Sequence, residues 1–197
     1  QELTVLTDSS YVICSNHRPS SPGAEEFTGL TKFNRNGGFV WHSDYKSSAA
    51  SGFNDFLDGD KVTCDSSGNL YLFGSLYRSQ LYAMGIKLNS VGNVIGANYW
   101  PGVNPYQIQG AKFENGNIIL DLGSEELILD TLLNSSCLTN NAFPITEFNS
   151  FLGGVSGGDV YSSNTFQPVN GTPFSYTAVS PIDICISLNM PENPETE

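Results

Sequence analysis

Basic residues are scarce in this 197-residue chain: eight Lys and Arg stand against twenty Asp and Glu, a net charge of −12. A polyanionic backbone needs the opposite field, so the charge balance argues against nucleic acid as a partner. It argues against an anionic membrane surface on the same ground. Long apolar runs are missing too. The most apolar stretch, Asn117 to Leu133, is broken by Asp121, Glu125, Glu126 and Asp130, so nothing approaches the roughly 18 apolar residues of a spanning helix. With two histidines, four dispersed cysteines (Cys14, Cys64, Cys137, Cys185) and no C-x-x-C, a structural zinc site is not expected. No phosphate-cradling glycine loop or dinucleotide fingerprint occurs, so no cofactor is expected. The opening Gln1-Glu2-Leu3-Thr4 reads as a mature start left by signal-peptide removal.

Charged residues make up 14% of the chain, against about 25% in an average globular protein. Their place is taken by 20 Gly, 12 Phe and 9 Tyr, the profile of short strands joined by turns. Two marks recur. The first is an apolar residue followed by asparagine, at Phe33-Asn34, Leu88-Asn89, Leu133-Asn134 and Leu188-Asn189, in steps of 55, 45 and 55 residues (89−34, 134−89, 189−134). The second, out of phase with it, is Asp8 to Ile13, Ser67 to Leu72, Asn115 to Leu120 and Gly157 to Tyr161.

Four divergent units follow, over residues 1–48, 49–105, 106–149 and 150–189, with an acidic, proline-bearing tail at 190–197. In the second unit, strands are expected over Lys61 to Cys64, Leu70 to Ser75, Leu81 to Asn89 and Val94 to Tyr99. The third unit is read with Glu126 to Asn134 as its third strand and Phe143 to Phe148 as its fourth. The fourth unit includes a strand from Ile182 to Asn189. Gly and Asn accept the positive φ of tight hairpins between them. Leu70-Tyr71-Leu72-Phe73 is apolar on both faces, which implies burial between layers. Four antiparallel strands per unit of about 45–55 residues predicts an all-β, propeller-like array, with a β-sandwich as the alternative.

Val62-Thr63-Cys64-Asp65-Ser66-Ser67-Gly68-Asn69-Leu70-Tyr71-Leu72-Phe73-Gly74-Ser75, followed by Gly85-Ile86-Lys87-Leu88-Asn89 and Gly92-Asn93-Val94-Ile95, resembles the propeller repeats of secreted bacterial proteins. Such repeats are common in Bacteroidota surface proteins exported by the type IX system. Leu30 to Trp41 matches the third strand, turn and fourth strand of the same repeat. The resemblance implies a propeller exported to the cell surface or medium and brings no catalytic residues.

Candidate chemistry is thin. Gly154-Val155-Ser156-Gly157-Gly158 fits G-x-S-x-G, but both histidines (His17, His42) lie upstream and the segment falls in a repeat turn, so no nucleophile elbow is expected. His42-Ser43-Asp44 is not a triad by adjacency alone. Pairs such as Glu25/Glu26 and Glu125/Glu126 read as acidic surface rather than as glycosidase carboxylates. Asn34 to Trp41 resembles the Asp-box of sialidase propellers, a folding element, so Trp41 reads as a packing residue. Trp100 has no counterpart in the other units and borders a loop; with Tyr99 and Tyr106 it is the expected sugar-stacking platform. Asp55, Asp58 and Asp60 place three carboxylates on one expected loop, the one candidate calcium site. If the ring closes, the first and fourth units meet, and a Cys14–Cys185 bond clasping them is expected. The sequence therefore predicts a secreted or cell-surface, non-enzymatic binding, adhesion or assembly module, acting alone or within a larger assembly, with a protein or glycan partner. A carbohydrate-binding accessory protein is the first alternative and a secreted glycosidase or esterase the second.

Overall fold

In the computed structural model the described residues are 2–17, 27–47, 56–78 and 80–148. The expected fourth unit (150–189) and the tail (190–197) lie outside them. The described chain is all-β: β1 Glu2–Val5, β2 Tyr11–His17, β3 Phe27–Phe33, β4 Phe39–Ser47, β5 Phe56–Cys64, β6 Leu70–Arg78, β7 Gln80–Leu88, β8 Val94–Trp100, β9 Gly110–Glu114, β10 Asn117–Asp121, β11 Glu126–Leu129, β12 Asn141–Ala142 and β13 Ile145–Phe148, with a 3-10 turn at Pro105–Gln107. Every pairing is antiparallel, in three sheets ordered β1-β2-β3-β4-β13, β12-β8-β7-β6-β5 and β11-β10-β9.

Alternation along the strands explains the stacking. Leu70, Leu72 and Leu76 of β6 and Met84, Ile86 and Leu88 of β7 pack with Val12, Cys14, Leu30 and Tyr45 of the first sheet. The intervening Tyr71, Phe73, Ala83 and Trp100 pack with Ile118, Leu120, Leu127 and Leu129 of the third. Side chains alternate across a strand, so a stretch apolar at every position, as Leu70 to Phe73 of β6 is, must lie between two layers. The three sheets thus stack face on face, the middle one buried on both sides. None closes into a barrel. The described residues form no ring, and the stacking is sandwich-like.

One five-residue turn recurs at 6–10, 34–38, 65–69, 89–93 and 130–134. In each, the first N–H bonds the fifth carbonyl and the fourth N–H bonds the first carbonyl, at 2.8–3.1 Å. The fourth residue has positive φ every time: Ser9, Gly37, Gly68, Gly92 and Leu133. In four of the five, the first side chain (Asn34, Asp65, Asn89, Asp130) accepts from the third and fifth N–H groups. That is the physical content of the first sequence mark, and it corrects one alignment. Asp130, not Asn134, is the counterpart of Asn34 and Asn89. Asn134 closes the turn, and β11 ends at Leu129.

The third unit differs from expectation in a second way. Its fourth strand does not form among the described residues. The chain beyond Asn134 instead turns back, adding β12 to β8 and β13 to β4. Pro144 cannot donate to a ladder, and it separates these two short pairings. Phe143 and Ile145 enter the core between the first two sheets.

Polar contacts fix how the sheets sit. The backbone N–H of Gly59 donates to Asn16 Oδ1 (3.0 Å) and to Thr28 Oγ1 (2.7 Å), while Asn16 Nδ2 donates to the Gly59 carbonyl (2.7 Å). A Cβ at Gly59 would lie 2.6 Å from Thr28 Cγ2, so this approach requires glycine. Tyr45 Oη donates to the Gly92 carbonyl (2.6 Å) and Asn98 Nδ2 to the Leu133 carbonyl (3.0 Å).

Candidate functional site

The first two sheets have unlike ends. At one end lie the five-residue turns joining β1–β2, β3–β4, β5–β6 and β7–β8. The strand ends His17, Phe27, Ser47, Phe56, Arg78, Gln80 and Trp100 lie at the other. The two sheets share this polarity. Trp41, near the turn end of the first, donates from Nε1 to Ser90 O in a turn of the second (3.3 Å). Thr28, at the opposite end, donates to Leu57 O (3.1 Å). The chain therefore leaves β2 at His17, β4 at Ser47 and β8 at Trp100 from one and the same end of the stack.

At that end the β6–β7 hairpin and β8 assemble a polar aromatic patch. Register pairs Arg78 with Gln80, Leu76 with Tyr82 and Met84 with Tyr99, which sets Arg78, Gln80, Tyr82 and Tyr99 on one face. The Tyr82 and Tyr99 rings lie 4.8 Å apart, and the Arg78 guanidinium sits 5.8 Å above the Tyr99 ring. Gln80 Nε2 donates to Tyr82 Oη (2.6 Å). Both tyrosine rings are half-buried, and neighbouring Tyr77 is 38% exposed. A cation, an amide, phenol groups and ring faces converge here, which suits a hydroxyl-bearing or planar polar ligand. Arg78, Gln80 and Tyr82 are not among the expected site residues because the expected strands stop at Ser75 and resume at Leu81, whereas β6 runs to Arg78 and β7 starts at Gln80. The signal was the residue order Tyr77, Arg78, Gln80, Tyr82, with aromatic and polar groups gathered around a tight turn.

The expected platform of Trp100, Tyr99 and Tyr106 is not assembled. Trp100 is fully buried between the second and third sheets, with Nε1 donating to Asn140 Oδ1 (3.3 Å). Although Trp100 borders a loop, its side chain turns inward. Tyr99 faces the other side of β8, against Phe143 and Tyr82. Tyr106 stands 83% exposed on the 3-10 turn.

Asp55 lies outside the described residues. Asp58 and Asp60 are in strand β5 rather than a loop, and Lys61 Nζ reaches Asp60 (3.5 Å) and Glu2 (2.9 Å). No group of three His, Cys, Asp or Glu able to hold a metal occurs among the described residues. Cys14 is a free thiol buried in the core, donating to Gly59 O, and burial pushes it up to about 12. The other half of the expected clasp, Cys185, lies outside the described residues.

The hydrolytic candidates within the described residues are not brought together. His42 bridges Thr31 Oγ1 (2.8 Å, from Nδ1) and Asp44 Oδ2 (3.1 Å, from Nε2). Ser43 points to the opposite face of β4 and donates to Glu147 Oε1 (3.2 Å), so His42, Ser43 and Asp44 form no relay. Glu126 is engaged by Lys112 (3.6 Å). Ser156, Glu25 and Glu26 lie outside the described residues. No helix among the described residues is long and apolar enough to cross a membrane. No family model, curated protein or solved structure matches the chain.

Proposed function

We propose that this chain is a non-enzymatic binding module of the cell surface or extracellular medium, its sheets serving as consecutive blades of a propeller-type array. The repeated turn and the chain-order stacking of successive meanders support the array. The observation that carries the binding reading is the segregation of the two ends: regular, side-chain-capped turns at one, irregular connections and the Arg78–Tyr82–Tyr99 patch at the other. Scaffold and recognition separate in this way when loops on a rigid frame do the binding.

A protein or glycan at the cell surface is the partner class, reached alone or within a larger assembly. The glycan reading is favoured by the half-buried Tyr82 and Tyr99 rings and the adjacent amide of Gln80, since ring faces and amides suit sugar faces and hydroxyls. Glycan-array binding by the full chain tests it, with Tyr82→Ala and Arg78→Ala as paired variants. Loss of binding in both, with an unchanged melting temperature, supports the glycan reading. Turnover of an ester or glycoside that vanishes in Ser156→Ala would overturn the non-enzymatic reading.

A further inference from the structure

The third sheet stops where the other two continue. In the first and second sheets, the third strand (β3, β7) runs into the five-residue turn and a fourth strand (β4, β8) returns beside it. In the third sheet, β11 runs into the same turn at 130–134. No described strand returns, and β11 is left at the edge. Natural sheets guard exposed edges with charge, proline or bulges. Beside this edge, Ile128 is instead 40% exposed and Leu132 65% exposed.

We propose that residues 182–188 of this same chain form the missing strand beside β11, pinned by a Cys137–Cys185 disulfide. The third sheet has one buried and one solvent face: Ile118, Leu120, Leu127 and Leu129 turn inward, while Asn117, Asp121 and Ile128 are exposed. Residues 182–188 repeat that alternation, with Ile182, Ile184, Ile186 and Leu188 separated by Asp183, Cys185 and Ser187. Such a strand places four apolar side chains on the core side and three small or polar ones outward. Cys14 and Cys64 are free thiols, which leaves Cys185 to Cys137, three residues beyond the turn. The bond forms by exchange with a small-molecule disulfide: the two protein thiols give up two electrons and two protons to become one protein disulfide, and the small-molecule disulfide takes them up and leaves as two thiols.

Peptide mapping of the full chain, alkylated in denaturant without reductant, tests the linkage. A linked Cys137–Cys185 peptide is expected, with Cys14 and Cys64 alkylated. Any other pairing, four alkylated cysteines, or a disulfide-linked dimer overturns it. Hydrogen exchange tests the strand: Ile184→Pro should speed exchange of the β11 amides at least tenfold and leave β6 and β7 unchanged. Unchanged β11 exchange overturns it. If β6 and β7 also lose protection, the variant has unfolded and the peptide map decides alone.

Discussion

Tyr45 and Trp100 occupy the same register position in successive sheets. Each follows the first residue of its five-residue turn by eleven positions (45−34, 100−89), and each lies across from a small buried residue, Thr28 or Ala83. Both are fully buried, one between the first and second sheets and the other between the second and third. Trp100 therefore has a counterpart after all, and its place is structural. The small partner across the pair makes room for the large ring on the face turned to the next layer.

Replacing Trp100 with Ala should accordingly cost about 3–5 kcal/mol of stability, the range for emptying a buried aromatic site. Tyr45→Phe should cost only about 1 kcal/mol, because it removes the bond to Gly92 O and keeps the ring. Chemical denaturation of both variants checks this. A Trp100→Ala protein of unchanged stability would contradict the packing role.

The turns give a second expectation. Asp65 accepts from the N–H groups of Ser67 and Asn69, from Asn69 Nδ2 and from Tyr71 Oη, whereas Asn89 accepts from two N–H groups in its turn. Asp65→Ala should thus cost about 2 kcal/mol and Asn89→Ala about 1 kcal/mol, as for other caps of orphan backbone donors. Equal losses in the two denaturation curves would argue against this ranking.

Acid sensitivity should follow from the same carboxylates. Burial raises Asp65, but the hydrogen bonds from Asn69, Tyr71 and Ser67 outweigh it and hold the carboxyl below its usual range. Asp130 is held low in the same way by Asn134 and Leu132, with Lys87 adding attraction. A depressed carboxyl stabilises the fold fully above its unfolded value, about 3.9, and that contribution is lost as pH falls through the folded value. Urea midpoints should therefore drop as pH falls below about 4, and less steeply in Asp65→Asn. Parallel pH curves for the two proteins would refute the assignment.

Cys14 should resist alkylation in the native protein at pH 8 and react promptly in denaturant, since its thiol is buried and pushed up to about 12. Intact-mass measurement before and after unfolding reads this directly. Rapid native labelling at Cys14 would contradict the core placement.

The all-β class, most strands and the layered burial of Leu70 to Phe73 were legible because period-2 alternation and turn chemistry are local signals. The departure of the third unit was not. Nothing in Phe143 to Phe148 says which edge it will join, because that choice depends on contacts nearly a hundred residues away in the chain. The candidate site was half legible. Tyr99 does lie in the aromatic patch, but exposure cannot be read from a Trp-Pro-Gly string, and Trp100 is core. Arg78 and Tyr82 came to the site by cross-strand register, which sequence spacing alone does not display.

The return of β13 to β4 has a consequence for synthesis. Ile145 pairs with Ser47, ninety-eight residues earlier (145−47), whereas the hairpins of the first two sheets close over short turns. Local pairings form on the microsecond scale, but the outer edge of the first sheet must wait for its last strand. At about 5–20 residues per second, that edge stays open on the ribosome for roughly 5–20 seconds, exposing backbone donors and acceptors to any other nascent strand. Refolding of the released chain carries no such delay. The period of greatest aggregation risk therefore belongs to translation, and a chaperone that shields β4 would act before residue 145 emerges.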